Sequence, residues 1–193
     1  MMGTLTAAMM RLHLLVLVII AALGGAALTR SSPVSAAGEV RAMYWWNGSG
    51  PHIPVVQLRA TPFRLEYGRG TYMDAGVRPF DMSLLALDYV SPRGWHLGWQ
   101  QVSVGAETMR GPRLGFSGES TIGRLRWEYD LSLLPGNRLG EQWAVGLEAR
   151  LLARYDLGAG ASVYLGRREL FYALSGGSDW SFPGWSFGAS VRL

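Results

Sequence analysis

Apolar and polar side chains alternate along much of the chain from residue 38 onward. In the clearest segment, 143–157, every second residue is apolar, and Glu148, Arg150 and Asp156 lie between them. Segment 125–133 shows the same alternation. Because successive side chains of a β-strand point to opposite faces, a period of two predicts strands, whereas a helix would mix the two sets.

Weaker alternation elsewhere brings the predicted total to eight strands. They lie at 40–46, 55–67, 82–91, 95–109, 125–133, 143–157, 161–174 and 185–193. The second contains a phase slip at 60–62, so a bulge or a division into two strands stays open, and the count lies between eight and ten. Gly- and Pro-rich connections are predicted at 47–51, 135–137 and 175–178. With no internal repeat or linker, residues 38–193 form one predicted domain.

Two tight turns predict strand register. A three-residue turn at 92–94, with Gly94 in the left-handed conformation, sets Tyr89 opposite Leu97 and Leu87 opposite Trp99. The same rule applied to 158–160 pairs Tyr155 with Val163, Ala153 with Leu165, and Asp156 with Ser162. Both registers keep like faces together. With eight strands, however, three strands separate the turns and place them at opposite ends of the sheet.

The N-terminal segment predicts export. An apolar run at 14–28 follows two basic residues, and Pro33 and the small residues at 35–37 come after it. This pattern predicts a helical signal peptide over 1–37, cleaved after Ala37. The alternative is an uncleaved membrane anchor, for which 15 apolar residues are few in a bilayer core of about 30 Å. No second such run follows, so no helical span is expected in the mature part.

The length of the alternating segments favours a membrane over water. The 12 residue steps from Trp143 to Tyr155 correspond to about 40 Å of strand, or about 28 Å of vertical rise at a tilt of about 45°. Aromatic residues lie at both ends of this aliphatic stripe, as in the girdles of membrane barrels. The charged phase would then point into the lumen, where Glu148 and Arg150 could pair with Arg126 and Glu128 on the next strand. A soluble barrel, with the faces reversed, is the alternative.

The signal peptide, the girdled strands and the final alternating strand at 185–193 resemble the small eight-stranded outer-membrane β-barrel proteins of bacteria. The resemblance is architectural and includes no family-specific motif. It implies a closed antiparallel up-and-down transmembrane β-barrel, located in the bacterial outer membrane and most simply monomeric. Its expected partners are the surrounding lipid and the barrel-insertion machinery. The last residue of such proteins is commonly Phe, whereas here it is Leu193.

Few residues indicate chemistry. The chain has no Cys, which excludes disulfides and thiol nucleophiles, and its basic residues are scattered among acids, which argues against nucleic-acid binding. His52 is expected in a solvated loop. His96 shares a predicted face with Asp88 and lies within diagonal reach, so this pair could activate a serine or a water. No metal site or cofactor motif is evident, and none is predicted.

Three functions follow as hypotheses. The first is a non-enzymatic outer-membrane barrel with a charge-plugged lumen, acting through surface loops or in membrane integrity. It would be porin-like only in architecture, because eight strands leave room for side chains alone. The second is a lipid-modifying acyl transferase or esterase that uses His96 and Asp88. The third is a soluble periplasmic barrel that binds a small apolar ligand.

Overall fold

A computed structural model describes residues 38–48, 50–73, 79–122, 125–139, 141–175 and 179–193. The predicted signal peptide at 1–37 and most of the predicted connection at 175–178 lie outside the described residues. Within the described ranges, no helix has the length and hydrophobicity needed to cross a bilayer.

Ten strands form a single closed sheet. They are β1 (Glu39–Trp46), β2 (Pro51–Ala60), β3 (Phe63–Tyr72), β4 (Phe80–Val90), β5 (Trp95–Val104), β6 (Glu107–Ile122), β7 (Leu125–Leu139), β8 (Gln142–Gly158), β9 (Ala161–Leu174) and β10 (Asp179–Arg192). Each strand pairs antiparallel with its neighbours in the chain, and β1 closes the barrel against β10. The predicted all-β closed antiparallel barrel is confirmed, with ten strands rather than eight.

Both extra strands come from segments that were predicted to be single strands. Segment 55–67 divides at Thr61 and Pro62, whose peptide bond is cis, into β2 and β3. Segment 95–109 divides at Gly105 and Ala106 into β5 and the start of β6. With ten strands, four strands rather than three separate the turns at 92–94 and 158–160, so both turns lie at the same end of the barrel.

Most of β6 lies between the predicted strands at 95–109 and 125–133, in a segment to which no strand was assigned. The glycines of β6 meet a packing requirement. A Cβ on Gly115 would collide with the His96 ring, and a Cβ on Gly111 would lie 2.8 Å from the Asn137 side chain. Glycine therefore allows neighbouring side chains to cross the strand at these positions.

The connection predicted at 135–137 is wrong, because these residues lie inside β7. The β7–β8 register shifts between Leu134 and Asn137, and Gly136 has a φ of 63°. The Pro-Gly signal therefore marks a β-bulge rather than a turn. The connection at 47–51 is confirmed, except that Pro51 already belongs to β2.

Both predicted hairpin registers are confirmed. Tyr89 lies opposite Leu97, and Tyr155 lies opposite Val163. Gly94 adopts the expected left-handed conformation with a φ of 87°. The alternating side chains therefore take the faces that the turns predicted.

The outer face of the barrel is mostly apolar. Every strand exposes at least one large apolar side chain, namely Trp46, Val56, Leu65, Leu87, Leu97, Leu114, Leu133, Leu151, Leu165 and Phe187 on β1 to β10 in order. Along β8, Val145 and Leu151 are 55% and 37% exposed, whereas Glu148 and Arg150 between them are 0% and 5% exposed. The charged phase of the alternation thus points inward.

Candidate functional site in the barrel lumen

The inward side chains divide the lumen into two zones. The charged zone lies at the end where β1 begins, and it contains six arginines and six carboxylates among the buried residues described: Arg41, Arg64, Arg113, Arg150, Arg154, Arg168, Glu39, Glu66, Asp88, Glu128, Asp130 and Glu148. The apolar zone fills the opposite end with Met43, Trp45, Ile53, Val55, Met82, Leu84, Val102, Met109, Leu134, Ala144, Leu170, Tyr172, Leu174 and Phe182. The inward residues of β4 show the change along one strand, from Met82 and Leu84 to Asp88.

Ion pairs in the charged zone cross the lumen. Arg41 on β1 donates to Glu128 on β7 at 2.6 Å, and Arg150 on β8 donates to Glu66 on β3 at 2.7 Å. Arg64 on β3 pairs with Asp130 on β7. These strands are far apart in the sheet order, so each pair ties opposite walls of the barrel together.

Each of the six buried carboxylates lies within 4.0 Å of at least two arginines. Arg113 illustrates the sharing, with its Nη2 atom 3.1 Å from Asp130 and 3.4 Å from Glu148. Arg168 joins Glu66 and Glu148 at 2.6 and 2.7 Å. An isolated ion in a dry interior is strongly disfavoured, and a network with equal numbers of both signs avoids that cost.

The predicted charge network is present, but its pairing differs from the prediction. The β7–β8 register sets Arg150 opposite Asp130 rather than beside Glu128. Arg126 lies nearer the rim, where its Nη1 atom is 3.3 Å from Glu119. The sequence predicts that these charges share one face of the sheet. It does not predict the register between β7 and β8, which determines the partner of each charge.

His96 and Asp88 are diagonal neighbours, since His96 pairs with Val90 and Asp88 with Gly98. The two side chains nevertheless form no hydrogen bond with each other. The Oδ2 atom of Asp88 accepts from Arg64 Nε at 2.9 Å and from Arg64 Nη2 at 2.7 Å. His96 Nδ1, which an orienting carboxylate would bind, has no hydrogen-bond partner among the described residues.

Ser132, which sequence reasoning did not single out, lies 3.0 Å from His96 through its Oγ atom. A Ser–His contact occurs in hydrolases, but there an acid orients the histidine. Here the Ser132 hydroxyl donates to Asp130 at 3.0 Å and accepts from Arg113 at 3.0 Å, and the residue is fully buried. This geometry satisfies polar groups within the charged zone and offers no exposed nucleophile. The inward phase that Ser132 shares with Asp130 along β7 was the signal available in the sequence.

His52 is not in a loop, as predicted, but in β2. It is half-buried, and its ring meets the Trp46 ring edge-on with centroids 6.3 Å apart. A loop was predicted because His52 lies next to the first connection and because the start of β2, at Pro51, shows no clear alternation of polar and apolar residues.

The apolar zone closes the other end of the lumen by packing. Its border with the charged zone is marked by the Arg168 guanidinium, which lies 4.6 Å from the centre of a Trp45 ring. At the mouth, Phe80, Val104, Trp180 and Phe182 help to line a cavity of about 350 Å³. Between the mouth and the charged zone, buried side chains such as Leu84 and Tyr172 fill the space.

No group of three or more metal-ligating side chains occurs within the described part of the chain. Comparisons with protein-family models, with curated proteins and with solved structures each found no match to this chain.

Proposed function

We propose that this chain is a non-enzymatic β-barrel of a bacterial outer membrane, which supports membrane integrity and does not conduct ions. The observation that carries the proposal is the polarity of the wall, with apolar side chains outside on all ten strands and the buried charges inside. A soluble monomer rarely exposes a continuous apolar patch larger than a few hundred Å². Lipid is the solvent that such an outer face suits.

Buried charges are compatible with this proposal. The interior of a membrane barrel is polar, while its lipid-facing side chains are apolar. The charged zone lies inside the wall, and its buried carboxylates are paired. On the outer face, exposed apolar side chains outnumber the charged ones, which include Arg110, Arg138 and the ion pair of Arg167 with Glu169.

Strand length also supports the proposal. A strand that crosses a bilayer needs about 9–11 residues. Nine of the ten strands have ten residues or more, and β1 has eight. Closure of the sheet leaves no strand edge unpaired in the hydrocarbon, which lipid requires.

A structural role fits better than a role for surface loops. The longest connection between strands, 73–79, has seven residues, and the others have four or fewer. Because the connections are short, the barrel offers little loop surface. Because two packed zones fill the lumen, it offers no wide path for water. These features favour membrane integrity over loop-mediated binding or diffusion.

Cell fractionation with a heat-modifiability gel is the first test. We expect the protein in the outer-membrane fraction, with a gel mobility that changes on boiling because the closed sheet resists detergent. Planar bilayers containing the purified barrel should show no conductance steps. Release with periplasmic contents would instead support a soluble barrel that holds an apolar ligand, and steady conductance would overturn the plugged lumen.

Substitution on the outer face tests the lipid contact directly. Leu87 is half-exposed and lies between Leu65 and Trp99, within β4 and away from both of its ends. In bilayers, Leu87→Arg should lower the free energy of unfolding by about 2–4 kcal/mol, since lipid-facing charge is disfavoured most at mid-depth. Leu157→Arg, beside the turn at 159–160, is the matched control and should cost about 0–1 kcal/mol. Equal, small effects of both variants would contradict a membrane location.

The non-enzymatic part of the proposal has its own test. His96→Ala removes the histidine of the candidate pair, and the lipid composition of the host membrane is then compared with that of the wild type. We expect no difference. A lipid product that disappears with His96 would establish the lipid-modifying alternative.

A further inference from the structure

Two arginines lie directly opposite each other on the outer face of the barrel. Arg110 on β6 pairs in register with Arg138 on β7, and both side chains are exposed. Like charges in directly opposite positions destabilise a sheet unless an anion lies between them or nearby. This arginine pair therefore needs an explanation outside the barrel's own packing.

The chain supplies no anion to the pair. Neither Arg110 nor Arg138 forms an ion pair with any carboxylate of the described residues, in contrast to the six buried arginines of the lumen. Arg167, another exposed arginine of the outer face, lies 3.1 Å from Glu169. The outer face thus carries Arg167 with its carboxylate partner, the unneutralised pair of Arg110 and Arg138, and the single Arg69 on β3, which forms no ion pair among the described residues.

The surroundings of the pair resemble a binding site for a phosphate. The Arg138 guanidinium lies 4.2 Å from the centre of a Trp143 ring, which restricts its orientation, and Gln101 lies opposite Arg110 on β5. Guanidinium groups bind phosphate oxygens through two parallel hydrogen bonds. Two such groups and one amide provide more donors than a single exposed arginine.

Apolar side chains lie next to the pair on the same face. Leu114 and Leu133 oppose each other on β6 and β7, nearer the middle of the barrel, and are 43% and 46% exposed. Trp99 on β5 continues this surface. The arrangement places cations at one edge of an apolar band, as a phospholipid places its phosphate at one edge of its acyl chains.

We infer that Arg110 and Arg138 bind the phosphate of an anionic membrane lipid whose acyl chains lie against Leu114, Leu133 and Trp99. This inference rests on the proposed membrane location. A basic residue near an anionic membrane surface contributes about a fivefold gain in affinity, so the pair should contribute about 25-fold.

Native mass spectrometry of the full barrel, titrated in detergent with phosphatidylglycerol or phosphatidylcholine, tests the inference. The wild type should bind the first phosphatidylglycerol more tightly than phosphatidylcholine. Arg110→Gln and Arg138→Gln should each weaken phosphatidylglycerol binding about fivefold, and the double variant about 25-fold. Arg167→Gln is the matched control and should change binding by less than twofold, because its charge already has a partner.

Three results would overturn the inference. A wild type without lipid preference, or a double variant that binds phosphatidylglycerol as the wild type does, would remove the lipid site. Displacement of the lipid by millimolar inorganic phosphate would show a site for free phosphate instead. Insertion into vesicles is scored separately by the gel mobility shift: a barrel that inserts but shows no preference defeats this inference alone, whereas a barrel that never inserts defeats the proposed function as well.

Discussion

The charged zone and the apolar zone share one barrel wall, yet they fill it by different means. In the charged zone, directional pairs such as Arg41 with Glu128 cross the lumen between distant strands. In the apolar zone, Leu84 and Leu134 are fully buried by packing alone. The outer face is mostly apolar beside both zones. The comparison indicates that the lumen must be filled with side chains. Those side chains can be either charged or apolar, provided that every charged one has a partner of opposite sign.

The largest expected effect comes from removing one arginine of the charged zone. Arg113→Met leaves Asp88, Asp130 and Glu148 with one arginine contact fewer and no compensating hydration. Breaking a buried pair in this way typically costs about 3–5 kcal/mol. Guanidinium unfolding of the reconstituted barrel, followed by tryptophan fluorescence, measures the loss. A cost below about 1 kcal/mol would mean that water reaches these carboxylates.

Truncation in the apolar zone should cost somewhat less. Leu134→Ala removes a fully buried side chain and leaves a cavity, for which about 3 kcal/mol is typical. The conservative variant Leu134→Met keeps the volume and should cost less than about 1.5 kcal/mol. If both variants unfold alike, the apolar zone does not pack as tightly as its burial indicates.

The same comparison explains what the sequence could and could not predict. Strands β7 and β8 carry five of the twelve buried carboxylates and arginines of the charged zone, so their alternation was visible and 125–133 and 143–157 were placed correctly. In the apolar zone both faces are apolar, as at Met82, Leu84 and Leu85 of β4, and alternation fades. Hairpin registers followed from turn chemistry alone, which explains why they survived an incorrect strand count.

The remaining errors concern positions where local signals have two meanings. Gly115 and Gly136 look like turn residues, but one makes room for the His96 ring and the other forms a bulge. The partners of each lumen charge depend on contacts across the barrel, such as Arg64 with Asp130, 66 residues apart in the chain. A single sequence contains no signal for such distances, so the network could be predicted in kind and not in pairing.

Coupling between charges should distinguish the two zones further. Arg64 contacts Asp88 and Asp130, so Arg64→Met and Asp88→Leu damage the same cluster. The double variant should lose about 1–3 kcal/mol less than the sum of the single losses. Combining Arg64→Met with Arg154→Met is the control, because these arginines share no carboxylate contact, and their effects should add within about 0.5 kcal/mol. Full additivity in both cycles would reduce the network to independent pairs.

The smallest expected effect lies at the rim of the charged zone. It tests whether the contribution of this zone to stability depends on burial or on charge alone. Arg126 contacts Glu119 at 3.3 Å and Asp156 at 3.6 Å, but its side chain and that of Glu119 are 25% and 29% exposed. Water can solvate these groups once the pair is broken, so Arg126→Gln should cost about 0.5 kcal/mol, and less at high salt, where the Debye length falls to about 3 Å. The measurement is the same unfolding titration at two salt concentrations. If Arg126→Gln costs as much as Arg113→Met, the balance of positive and negative charge in the lumen stabilises the barrel, and the exclusion of water does not. The two zones would then differ in their charge balance rather than in how tightly they are packed.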